Sequence, residues 1–185
     1  LCDLLSAAHP KHRGGEISVG VLIGDSIAVA RLGGASGANA GSDEARRWPL
    51  GCAAKVLTGM LAMQAHTEGR LDFDRELSDT PCDEGHRFLA GITPRHLLNH
   101  THGLDASCDD HAPLSPDGHI DRRALYERMR RRRRLFVPGR FYSYGPAGPW
   151  IVAALLEQAY SADFASLITS KVLDPAEISR DAASR

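Results

Sequence analysis

What this sequence lacks narrows it first. Formal net charge is −1 at pH 7, so no excess of either sign draws the chain toward nucleic acid or an anionic membrane surface. No apolar run reaches the roughly 20 residues that a membrane span needs. The opening "LCDLLSAAHPKHRGGE" has no basic front and no sustained apolar centre, so no signal peptide is expected in it. A sequence opening at Leu1 rather than Met is nonetheless compatible with a leader already removed. Cys2, Cys52, Cys82 and Cys108 form no C-x-x-C and no zinc spacing, which gives a redox or metal protein little support. Cys82 and Cys108 fall in loop-like sequence and could pair. Reduced thiols, and with them a cytoplasmic setting, are the expectation. There is no internal repeat, and no cofactor is expected.

What is present fits one globular body. The 185 residues are enough to bury a core, and 43% apolar with 24% charged residues is the ordinary balance for such a chain. "ISVGVLI" and "SIAVAR" flank Gly24-Asp25, which predicts a β-hairpin over residues 16–31. Gly33 to Asp43 is Gly/Ala/Ser-rich and reads as a mobile loop. A helix from about Cys52 to Thr67 is apolar nearly all round, so burial on most faces is expected. It should end at Gly69. Thr93 and Pro94 predict the start of a helix through "ITPRHLLNHTHGL". Residues 105–120 read as loop. Further helices are expected over about 121–134 and 149–160. A last one starts with Ser161 as N-cap and stops at Pro175, and the tail beyond it is polar.

Two clusters invite functional readings. His96, His100 and His102 gather in "RHLLNHTHGL", with His96 and His100 spaced to share a helix face. No carboxylate–histidine pattern completes a metal site there, so a structural or solvated role is expected. "RMRRRRRLFVPG" ends a helix with an arginine run. A solvated helix end that suits the dipole is the plain reading, and a docking patch for an acidic partner is the sharper one. Nucleic-acid binding is disfavoured, because no aromatics interleave the run.

The stretch "RWPLGCAAKVLTGMLAMQAH" carries the main chemical candidate. A thiol at a helix start feels unpaired N–H groups and the positive end of the dipole, which lower its pKa. Lys55, three residues on, lies on the same face one turn later. An amine among apolar neighbours can also lose its proton and serve as a base. By itself C-x-x-K is weak, since a free cysteine is more often buried and inert.

Order and spacing add weight. A hairpin precedes "CAAK"; then follow "EGRLDFD", "ITPRHLLNHTHGL", and a Pro-Gly turn into "FYSYG" and a helix-like "PWIVAALLEQAYSADFASLI". This series resembles the serine β-lactamase and penicillin-binding-protein superfamily, in its class C β-lactamase, esterase and DD-peptidase branch. The matching family segments are S-x-x-K, a Gly-Lys-Leu-Asp-like connection, I-T-x-x-x-L-L-x-H-T-S-G-L, and Tyr-Ser-Asn. The resemblance implies an α+β, transpeptidase-like fold. Residues 1–185 would be its N-terminal part, with a sheet hairpin at 16–31 and a helical region at 52–175. It implies Cys52 as nucleophile, Lys55 as general base and Tyr142 as the proton-shuttling tyrosine. Tyr144 falls in the substrate-binding Asn position, and the Cys52 N–H is half of an oxyanion hole.

Three departures follow. Cysteine replaces the family serine, so Lys55 can act as counter-ion to a thiolate rather than as base. A thioester intermediate favours amine or thiol acceptors, or capture of an acyl group from a carrier protein's thioester. A cysteine there also fits an acyl trap or a decayed site. Tyr144 in place of Asn makes penicillin-like substrates less suitable. Nothing after Ser161 resembles the family's Lys/His-x-Gly strand motif or its remaining strands, so the expectation is either a second polypeptide carrying that half or a chain that is itself a fragment, with apolar surface on the hairpin and the Cys52 helix to be covered by a second chain. The expected function is acyl transfer, or hydrolysis of esters, thioesters or amides, through acyl-Cys52. The alternative is an inactive β-lactamase-like scaffold.

Overall fold

The structure is a computed structural model that describes residues 16–33, 50–79, 86–105 and 113–178. The predicted loop at 33–43, the tail beyond 178, and Cys2, Cys82 and Cys108 lie almost wholly or wholly outside the described residues. The chain divides into two units, Leu1–Trp48 and Pro49–Arg185.

In the first unit, β1 (Glu16–Ile23) pairs antiparallel with β2 (Ser26–Gly33) around the predicted Gly24-Asp25 turn. Leu22 faces Ile27 and Gly20 faces Val29, which puts these four on one side of the pair. Leu22, Ile27 and Val29 are all exposed. A lone pair of strands with an exposed apolar face is not self-sufficient.

The second unit is helical. A 3₁₀ turn, Gly51–Ala53, leads into α1 (Ala54–Thr67). One face of α1 buries Thr58, Leu61, Ala62 and Ala65, while Val56, Met60 and Met63 on the other are exposed. The burial expected on most faces is thus found on one. The helix closes with paired bonds, Arg70 N–H to Ala65 O (2.8 Å) and Gly69 N–H to His66 O (3.0 Å), which satisfy its last carbonyls.

Thr93 starts α2 (Pro94–Leu98) as expected: its hydroxyl accepts from His96 N–H, and the His96 ring accepts from Thr93 N–H. The helix is shorter than predicted. Asn99 caps it and His100 turns to φ +56, so His96 and His100 do not share a helix face. Asp121 caps α3 (Arg122–Arg130), accepting from Ala124 N–H at 2.9 Å. This helix stops before Arg134 because the chain turns to pair with residues 103–105: Asp105 N–H meets Arg133 O (3.0 Å), and Leu135 N–H meets Gly103 O (2.8 Å). Arg134 is an anchor here, donating to Phe88 O (2.6 Å) and Ala90 O (2.9 Å).

The core centres on α4 (Ala147–Tyr160), where Ile151 through Leu156 are all buried. It packs on α1, α2 and α3 and on the short α5 (Phe164–Ile168). Gly148 permits the approach of α2: a Cβ there would stand 2.5 Å from Leu97 O. Ser161, predicted to start the last helix, instead ends α4 in a left-handed conformation; Asp163 is the cap, accepting from Ser166 N–H at 2.8 Å. After α5 the chain runs through a wide π turn, Thr169–Leu173, and a 3₁₀ turn, Asp174–Ala176, that contains Pro175.

Candidate active site

Cys52 sits exposed in the 3₁₀ turn that feeds α1, and Lys55 follows, half-buried, in the first turn of the helix. The third group comes from the segment before α4. That segment is pinned to the chain after α2 by Gly139 N–H to Thr101 O and Ser143 N–H to His100 O, both 2.8 Å. Gly103 makes the alignment possible. It lies at φ +72, and a Cβ there would meet Phe136 O at 2.2 Å, so only glycine fits.

This pairing delivers Tyr144 to the thiol and the amine. Tyr144 and Lys55 lie near enough to the Cys52 sulfur to lower its pKa, and Tyr144 and Cys52 in turn raise that of Lys55. The Lys55 ammonium stands 5.0 Å from the centre of the Tyr144 ring. Tyr142, to which the resemblance gives the shuttle role, is exposed and meets the edge of the His100 ring, with centroids 5.9 Å apart. Tyr144 packs closer on the same imidazole, at 4.7 Å. The structure therefore brings Tyr144, rather than Tyr142, to Lys55 and Cys52. Both tyrosines of "YSY" meet the His100 ring. Only the second reaches the helix end. Counted from Tyr144, the position the resemblance gives to asparagine is Pro146, which has no amide side chain and no N–H.

The electrostatics shift the thiol and the amine in opposite directions. The Tyr144 hydrogen bond, then the hydrogen bond and charge of Lys55, hold the Cys52 thiol below its ordinary range. For Lys55, burial works against the charge, but the bonds to Tyr144 and Cys52 outweigh it and raise its pKa. Lys55 is therefore an ammonium in the resting site, not a neutral base. His100 is lowered by burial and by the Lys55 charge, which keeps a neutral ring against Tyr144.

His102, two residues on, is fully buried. Its Nδ1 accepts from Leu104 N–H at 3.0 Å, so the proton of the neutral ring lies on Nε2, which has no hydrogen-bond partner among the described residues. Burial, with smaller repulsions from His100 and His96, pushes it down to about 4. Among the described residues no group of three or more His, Cys, Asp or Glu is arranged to hold a metal ion. Sequence reasoning missed an apolar cavity of about 330 Å³ that opens beside Lys55. Its walls come from separate segments, so no local motif marks it.

Residues 5–183 match the Beta-lactamase family model, and the chain belongs to that family. Among solved structures it is similar to SurE, with 28% identity and a TM-score of 0.75 over 95% of this chain and 38% of that one. It is also similar to a penicillin-binding protein from Bacillus halodurans (25% identity, TM-score 0.66, covering 89% of this chain and 50% of that one). The D-amino acid amidase from Ochrobactrum anthropi SV3 shares the fold, with 16% identity and a TM-score of 0.70 over 95% of this chain and 51% of that one. No curated protein sequence matches. The fold is thus the α+β, transpeptidase-like one, and the chain spans roughly two fifths to half the length of these relatives, one of which is an amidase.

Proposed function

We propose that this chain carries the reactive groups of an acyl-transfer enzyme that works through an acyl-Cys52 intermediate. The observation that supports it most is the convergence of Lys55 and Tyr144 on one exposed thiol. The Cys52 thiolate attacks the carbonyl carbon of an ester, thioester or amide. The C=O π pair moves to oxygen, where the Cys52 N–H is one donor for the oxyanion, a contribution of about 3 kcal/mol. Collapse expels the leaving group, which takes its proton from Tyr144, and the Lys55 ammonium restores that proton. An acceptor amine or water then attacks the thioester and gives its proton back through Tyr144 to Lys55. The acyl group leaves and the thiolate re-forms, so charge and protons balance over the cycle.

Two comparisons favour an acyl group drawn from a D-amino acid: SurE has also been crystallised with D-Leu, and the fold recurs in D-amino acid amidases. A thioester intermediate favours amine acceptors, hence transfer over hydrolysis, and suits a donor held on a carrier protein. The remaining strands of the fold, on this polypeptide or on a second one, would cover Val56, Met60 and Met63. Pro146 at the amide-binding position favours a second reading, an inactive scaffold.

Mass spectrometry separates the two. The chain is incubated with N-acetyl-D-leucyl and N-acetyl-L-leucyl thioesters of N-acetylcysteamine, and the peptide holding Cys52 is mapped. Acyl transfer predicts an adduct there, formed faster from the D ester. A folded chain with no adduct from either ester supports the scaffold.

A further inference from the structure

We propose that the cavity beside Lys55 receives an apolar acyl side chain of the group carried on Cys52; this rests on the acyl-transfer reading above. The cavity is contiguous with the reactive groups. Its lining includes Gly51, next to Cys52, then Lys55 itself, and Pro146, two residues after Tyr144. At about 330 Å³ it lies within the range of small-molecule pockets.

Its lining is largely apolar. Ile120, Trp150, Ala153 and Phe164 line it from three separate elements: the loop before α3, α4 and α5. Ala153 is buried, and the other three pack against the core. The loop is held by a Leu114–Ile120 bridge and by Asp121 N–H to Pro113 O at 2.9 Å. The polar groups on the lining are already engaged. The Thr58 hydroxyl donates to Ala54 O at 3.3 Å, and the Lys55 ammonium is turned to Tyr144 and Cys52. A polar substituent would enter without a partner and lose its hydration, whereas a branched aliphatic or aromatic one gains burial. The small Ala153 and Ala165 leave the space open.

The test compares acylation rates of Cys52 by acetyl and by isocaproyl thioesters of N-acetylcysteamine, read by peptide mapping. It uses the wild type, Ala153→Phe and Ala165→Phe. Ala165 is exposed, so its variant keeps the test valid if Ala153→Phe fails to fold. The expected result is an isocaproyl rate at least about tenfold above acetyl in the wild type, lost in Ala165→Phe while the acetyl rate stays within about twofold. Equal rates for the two probes in the wild type, or equal loss of both in the folded variant, would overturn the pocket. Failure of both probes to acylate wild-type Cys52 would instead overturn the acyl-transfer reading on which it rests.

Discussion

Around α4, Ile151 through Leu156 are all buried, and Gly148 lets α2 close to van der Waals distance. At the start of α1, the Cys52 thiol and the Tyr144 ring are exposed, and neighbouring His100 is held at φ +56 with a buried Nδ1 that lacks a hydrogen-bond partner. The first region minimises free energy by packing. The second keeps polar groups near one another and accessible, at a cost in local strain. The difference teaches that stability and reactivity can be changed separately in this unit.

The largest effect expected is on the reactive side. Cys52→Ala should abolish thioester labelling at position 52 altogether, while an exposed site of this kind should move unfolding stability by less than about 0.5 kcal/mol. Peptide mapping and urea melts check both halves. The mirror experiment is Leu156→Ala, which empties a fully buried site and should cost about 2–5 kcal/mol in urea denaturation. Below the unfolding transition, its Cys52 alkylation profile should match the wild type. If Leu156→Ala moved that profile, the separation would fail.

A smaller effect sharpens the boundary between the regions. His102 is lowered to about 4 when folded, against an ordinary value of 6.5. The unfolded chain therefore binds a proton in that window that the folded chain refuses. Stability should fall as pH drops from about 6.5 toward 4, by at most about 1.4 kcal/mol per pH unit, and fall no further from this group below 4. Urea midpoints against pH check this, and His102→Gln should flatten that part of the curve.

Much of this was legible in the sequence, for local reasons. Gly24-Asp25 between two β-rich runs marks the hairpin, and Thr93-Pro94 marks a helix start, because turn and cap chemistry acts within a few residues. Cys52 and Lys55 were legible because their spacing places them one turn apart. Tyr144 was not. Its place depends on the register between residues 100–105 and 133–143, set by Gly103 and four long-range backbone bonds. Helix ends were misjudged for the same reason: α2 and α3 stop early where that pairing takes over from the helix ladder. Ser161 yielded to Asp163 because the α4 terminus needed a left-handed residue there.

The central claim is that Tyr144 and Lys55 together lower the pKa of the Cys52 thiol. The most direct test is the rate of iodoacetamide alkylation of Cys52 as a function of pH, resolved by peptide mapping, in the wild type and in Tyr144→Phe, Lys55→Met and Tyr142→Phe. The account predicts a wild-type midpoint below that of an ordinary thiol, moved upward by Tyr144→Phe and by Lys55→Met and unmoved by Tyr142→Phe. A wild-type midpoint at the ordinary thiol value, or one that follows Tyr142 and ignores Tyr144, would contradict it.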